Sequence, residues 1–236
     1  MPLPLEGPRP LSPLEREAFR LVFWDSIDPC DVYVSVFDDI YREGGYYGGA
    51  GSIQINKSTF LDANLHMNST HANTDILKPA NIRCLSTLIH ECTHHWQWTH
   101  KRYQWSGPGD VKTLYAFTRN ELTEVPPSRK WWDQNPWPNK DLDMLNLLKE
   151  QHAAAAQVYF VIKWQLEHLP GGSDVNLSYK GLNRVGTVDR YHEIRKRDDD
   201  NNGQLIVSRD LAEGFTHHFS AYLVELRSGG RKQWAG

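Results

Sequence analysis

The chain has 236 residues, a formal net charge of -3, and 39% apolar and 23% charged residues, ordinary figures for a soluble globular protein with one core or one core and an appendage. That charge balance gives no reason to expect a nucleic-acid surface, and no run approaches the roughly 18 apolar residues of a membrane span. Three cysteines are too few and too odd for a disulfide framework, so a reducing compartment is expected. The opening MPLPLEGPRP lacks a basic n-region followed by an apolar h-region, which makes the cytoplasm the default location.

In chain order, Ser12-Pro13-Leu14-Glu15 predicts a helix start, with Ser as N-cap, Pro at the first helical position and Glu three residues after the cap; the helix runs to about Trp24. Alternation over 31–37 (DVYVSVF) and 51–55 (GSIQI) predicts two strands, with the glycines of GGYYGGAG as turn residues between them. Residues 62–75 are polar and read as loop. From Pro79 the period changes: Ile82, Leu85, Leu88, Ile89, Cys92 and Trp96 recur at three and four, an amphipathic helix from about Ala80 to about Trp98. Cys84 and Cys92 lie on it about 12 Å apart by helical rise, too far to bridge.

A long irregular loop is expected at EVPPSRKWWDQNPWPNK, whose prolines forbid regular structure. A second long helix follows from about Asp141 to Leu166 and stops at Pro170-Gly171-Gly172. A last helix runs from about Ser208 to Leu226, with Leu211, Phe215, Phe219, Tyr222 and Leu226 on one face. This divides the chain into 1–170 and a C-terminal helical extension, 171–236, packed on the same domain.

The chemistry lies in LIHECTHHWQWTH, residues 88–100, which holds four of the eleven histidines. His90-Glu91-Cys92-Thr93-His94 is an HExxH sequence. Residues four apart share a helix face, so His90 and His94 can converge on one Zn2+ while Glu91, about 100° round, reaches its water. Chance produces the pentapeptide in about 0.03 of such sequences, and its place on the face opposite the apolar one favours ligands over core histidines. His100 would complete the metzincin spacing, but Gln97 stands where that pattern has glycine. Glutamine continues a helix, which leaves His100 about 240° round and about 9 Å along from His94. Glu150, on the second helix beside alanines 153–156, is the better third ligand; it gives the His2Glu set with one open position. His152 is a weaker rival.

RPLSPLEREAFRLVF, LIHECTHHWQ and EQHAAAAQVYF together resemble the gluzincin-type bacterial metallopeptidase domains often encoded beside the spike proteins of type VI secretion systems. The resemblance spans roughly residues 9–100 and 110–165, and its pattern places Tyr159 and Phe160 nine and ten residues after Glu150. It implies a zincin-like α+β fold, mainly helical, with the active-site helix packed on a second ligand-bearing helix and a small sheet on the N-terminal side. It also implies His90, His94 and Glu150 as zinc ligands and Glu91 as the catalytic glutamate. Export by a specialised secretion system, with an apparatus or immunity partner, belongs to the same implication.

The expected reaction is peptide hydrolysis, in which Glu91 activates a zinc-bound water and then protonates the leaving amine. Tyr115, Tyr159, His217 and His218 are candidate donors to the developing oxyanion. GSIQI is a candidate edge strand for an extended peptide or protein substrate. A catalytically narrow or inactive zincin serving as an interaction or assembly protein is the alternative from another class, and a metzincin using His100 is a second one. Asp198, Asp200 and Asn202 match the first half of a calcium loop, but Arg209 stands where the bidentate Glu belongs, so a solvated acidic turn is preferred to a Ca2+ site.

Overall fold

A computed structural model describes residues 8–37, 45–56, 76–100, 149–176, 206–217 and 219–228, with the backbone but not the side chains of 37, 46, 79, 80, 149–151, 154 and 215. The expected loop at 62–75, the Trp/Pro-rich loop, Tyr115, His218 and the acidic turn with Asp198, Asp200 and Asn202 lie outside these residues.

The first helix, α1 (Pro13–Phe23), starts as its sequence dictates. The Ser12 hydroxyl accepts from the Glu15 backbone, while the Glu15 carboxylate accepts from the Ser12 N–H at 2.7 Å. Glu15 is buried, and Arg9, on strand β1 (Arg9–Pro10), neutralises it with two bonds of 2.7 and 2.9 Å. One carboxylate thus caps the helix and ties it to the sheet.

Both expected strands form, as β2 (Tyr33–Phe37) and β4 (Ser52–Asn56), and they pair in parallel. The glycine-rich segment between them is more than a turn. Gly45–Gly49 is itself a strand, β3, antiparallel to β4, and the sheet order is β1-β2-β4-β3. Only Ala50 and Gly51 form the turn, both with positive φ (47° and 78°), the primed conformation that matches strand twist. Gly51 admits no side chain, since a Cβ would lie 1.8 Å from the Asp31 carbonyl oxygen. GSIQI therefore lies inside the sheet, and among the described strands the outer one on that side is β3.

Helix α2 (Pro79–Thr99) packs most extensively on α3 (Lys149–His168). The predicted apolar stripe of α2, from Ile82 to Trp96, is buried to a residue, as are Cys84 and Cys92. Burial pushes both thiols well above the ordinary cysteine range, which leaves them unreactive. On α3, Ala153, Ala155 and Ala156 are fully buried, and such short side chains let two helices approach closely.

The C-terminal helix divides in two. Helices α4 (Arg209–His217) and α5 (Ser220–Arg227) follow a two-stranded pair, β5 (Val175–Asn176) with β6 (Ile206–Val207). Around the break, the Thr216 and Ser220 hydroxyls donate back to the carbonyls of Glu213 and His217 at 2.7 and 2.6 Å. Such local bonds compete with helix continuation. The break turns Phe219, Tyr222, Leu223 and Leu226 into the core they share with α1, α2 and α3, whereas Leu211, expected on that face, is exposed. Among the described residues no helix is long and apolar enough to cross a membrane.

Candidate metal centre

The α2 helix runs unbroken through Gln97, so His90 and His94 stand one turn apart on one face. Their rings meet edge-on with centroids 5.0 Å apart. Two imidazoles on one tetrahedral Zn2+, with Zn–N of about 2.0–2.1 Å, put their centroids about 5 Å apart, so the pair fits the ion. Glu91 is buried beside them. Its neighbour is the backbone of β3: a Cβ on Gly45 would fall 3.1 Å from Glu91 Cγ, 3.2 Å from Thr87 Cγ2 and 3.0 Å from the Gln54 carbonyl oxygen. Glycine at 45 is what lets a strand lie against this glutamate.

The same strand engages the next histidine. The Tyr47 hydroxyl accepts from the Gly51 N–H at 3.3 Å and is hydrogen-bonded to His95 Nδ1 at 3.2 Å. Burial holds the His95 imidazole below its usual range, partly offset by the Asp31 carboxylate.

On the other flank, His94 Nδ1 lies 2.9 Å from Gln97 Oε1, and Gln97 Nε2 lies 2.9 Å from His152 Nδ1. The Gln97 amide therefore bridges the two imidazoles, and the ring of each is held by the other helix through it. The His152 ring stacks on Trp96 (5.3 Å) and leans on Tyr222 (5.2 Å), whose hydroxyl donates to the His152 carbonyl at 2.7 Å. His152 is therefore a buried partner of Gln97 rather than a rival ligand.

His100 is the C-cap of α2. Its Nδ1 donates to the Trp96 carbonyl at 2.9 Å and its ring stacks on Trp96 at 4.7 Å, so it is engaged by its own helix rather than by His94. Burial holds this imidazole below its usual range as well.

Two of the candidate oxyanion donors lie elsewhere. Tyr159 is buried against Phe219, its hydroxyl 3.4 Å from the Arg227 guanidinium, and nine residues of helix turn it half a revolution from Glu150. His217 is exposed at the end of α4. The backbone of Glu150 lies in the first turn of α3, and its side chain is outside the described residues. Among those residues no three His, Cys, Asp or Glu side chains form a cluster.

Gly45 and Tyr47 were not read from the sequence as parts of the site, Gln97 was read only as continuing its helix, and His152 only as a weaker rival ligand. The three-residue spacing of His94 and Gln97 was the one signal that could have shown a contact, because such pairs face each other on a helix. Comparison with models of known protein families, with characterised proteins and with solved structures returned no match to this chain.

Proposed function

We propose that the chain is a zinc-dependent metallopeptidase of the zincin type, with His90, His94 and Glu150 as ligands and Glu91 as the general base. The observation that carries the reading is the fit of the HExxH pair to one tetrahedral ion on an unbroken helix, with a buried Glu91 beside it. Helical periodicity supports Glu150. It shares a face of α3 with Gln157, seven residues on, and Gln157 Nε2 donates to the Ser86 hydroxyl at 3.2 Å. Ser86 stands one turn before His90 on α2.

Zinc, when bound, supplies a Lewis acid and lowers the pKa of a coordinated water. The protein's own residues do the rest. Glu91 takes the proton of the attacking water and delivers it to the leaving amine. Its burial against the Gly45 backbone shields it from bulk water. Strand β3 has no further strand on its outer side among the described residues, and its backbone there suits an extended peptide added antiparallel or parallel to it. Recognition would then be mainly of peptide backbone.

The test is metal analysis of the purified chain together with Glu91→Gln. Stoichiometric zinc in both proteins is expected, with hydrolysis of a peptide library about 10²–10⁴-fold slower in the variant. Metal-free protein, or equal hydrolysis by the variant, overturns the proposal; the former points to the interaction protein instead.

A further inference from the structure

We propose that Tyr47 is a positioning residue whose hydroxyl, bonded to His95, keys strand β3 onto α2 so that bare backbone at Gly45, and not a side chain, faces Glu91. This rests on Glu91 being the general base of the proposed peptidase. Pairing with β4 sets Gly45 opposite Ile55 and Tyr47 opposite Ile53, so both stand on the face of the sheet that buries those isoleucines. Thr87, Glu91 and His95, four residues apart, share one face of α2. A Cβ on Gly45 would lie 3.1 Å from Glu91 Cγ and 3.2 Å from Thr87 Cγ2, and Tyr47 meets His95 one turn further on, with ring centroids 5.8 Å apart. Two strand residues advance about 6.8 Å and four helical residues about 6 Å, so strand and helix keep step.

The glycine contact cannot hold this alignment by itself. Three of the five residues of GYYGG are glycine, and a strand with few side chains specifies its register weakly. Its pairing with β4 already shifts between Tyr47 and Gly49. A slip of two residues would set Tyr47 against Glu91, where even a methyl group is tight. The Tyr47 hydroxyl supplies the fixed point. It accepts from the Gly51 N–H at 3.3 Å and bonds His95 Nδ1 at 3.2 Å, in either tautomer of that ring, because a hydroxyl both donates and accepts. Gly51 is anchored in turn: its carbonyl accepts from the Tyr33 N–H at 2.9 Å, and the Asp31 carbonyl leaves it no room for a Cβ. The start of β2, the β3–β4 turn and α2 thus meet at one hydroxyl.

The experiment is a cycle of Tyr47→Phe, His95→Leu and the two together in the full chain. It is read by hydrogen exchange of the β3 amides that pair with β4 in metal-free protein, and by kcat and KM for peptide hydrolysis with zinc bound. Tyr47→Phe keeps the ring and loses both bonds, so exchange in β3 should quicken about 2–10-fold. With zinc content unchanged, kcat should fall about tenfold and KM stay nearly the same. His95→Leu should do likewise, and the double variant no more than either. His95→Asn, whose amide stands near the place of Nδ1, should recover kcat; a merely space-filling histidine predicts no such rescue.

Wild-type exchange in β3 of Tyr47→Phe overturns the proposal, and so does a quickened exchange with unchanged kcat. Loss of zinc in Tyr47→Phe, or no recovery in folded His95→Asn, overturns it too. Should His95→Leu fail to fold, Tyr47→Phe decides alone. A wild type that takes up no zinc or cleaves no peptide overturns the peptidase reading, and this proposal with it, by a result seen before any variant is made.

Discussion

On one flank of α2, Glu91 and His95 meet a strand made largely of glycine; on the other, Trp96, Gln97 and His100 meet aromatic rings and a helix from the far end of the described chain. The glycine flank brings backbone close to Glu91, the proposed general base, and adds almost no side-chain bulk there. The aromatic flank is dry and densely bonded, with the Trp96 indole joined to a carbonyl 130 residues away. The difference teaches a division of labour within one helix. Under the proposed function, orientation of the histidine pair would come from the closed, aromatic flank, while the glycine flank, open only in that it adds little side-chain bulk, sets strand backbone against Glu91.

Substitutions can test this division, and the largest effect is expected at the proposed third ligand of the pair. Glu150→Ala should abolish stoichiometric zinc, a loss exceeding the roughly 10–100-fold typical of outer partners, whereas His100→Ala, on the closed flank, should keep the metal; metal analysis of both variants decides. The reverse result would restore the metzincin set and dissolve the contrast. Next comes Trp96→Ala, which should destabilise the fold by about 3–5 kcal/mol in denaturant unfolding, because it empties a fully buried site and strips the stack from His152. A much smaller loss would mean that the closed flank is less rigid than its contacts imply. The smallest stability effect but a clear rate effect is expected for Gly45→Ala. Its methyl group must displace Glu91 or the strand by a few tenths of an ångström, and kcat/KM should fall about tenfold with little change in Tm. A large Tm loss with normal turnover would show that the open flank is structural instead.

Much of the frame was legible because it rests on local chemistry. The capping box of α1 and the stripe from Ile82 to Trp96 need no partner to be recognised, and Gln97 could be read as continuing its helix from intrinsic preference alone. What escaped depended on non-local pairing. Glycines 45, 48 and 49 carry no side chains whose alternation could reveal a strand, and β3 owes its existence to β4. Phe219 has the right period for one long C-terminal helix, yet its burial against Tyr159 and Tyr222 goes with a break that periodicity cannot foresee. His152 read as a possible ligand because its nearest functional neighbour, Gln97, is 55 residues away in the chain.

The bonds from Tyr222 to the His152 carbonyl and from Trp96 to the Leu226 carbonyl have a consequence in time. A ribosome delivers α5 after every other described element, so the metal pair emerges long before the helix that braces its outer partners. Until α5 docks, His152 lacks one wall and Trp96 lacks its acceptor. The packing around the His90–His94 pair is therefore completed late in synthesis, when α5 becomes available to dock.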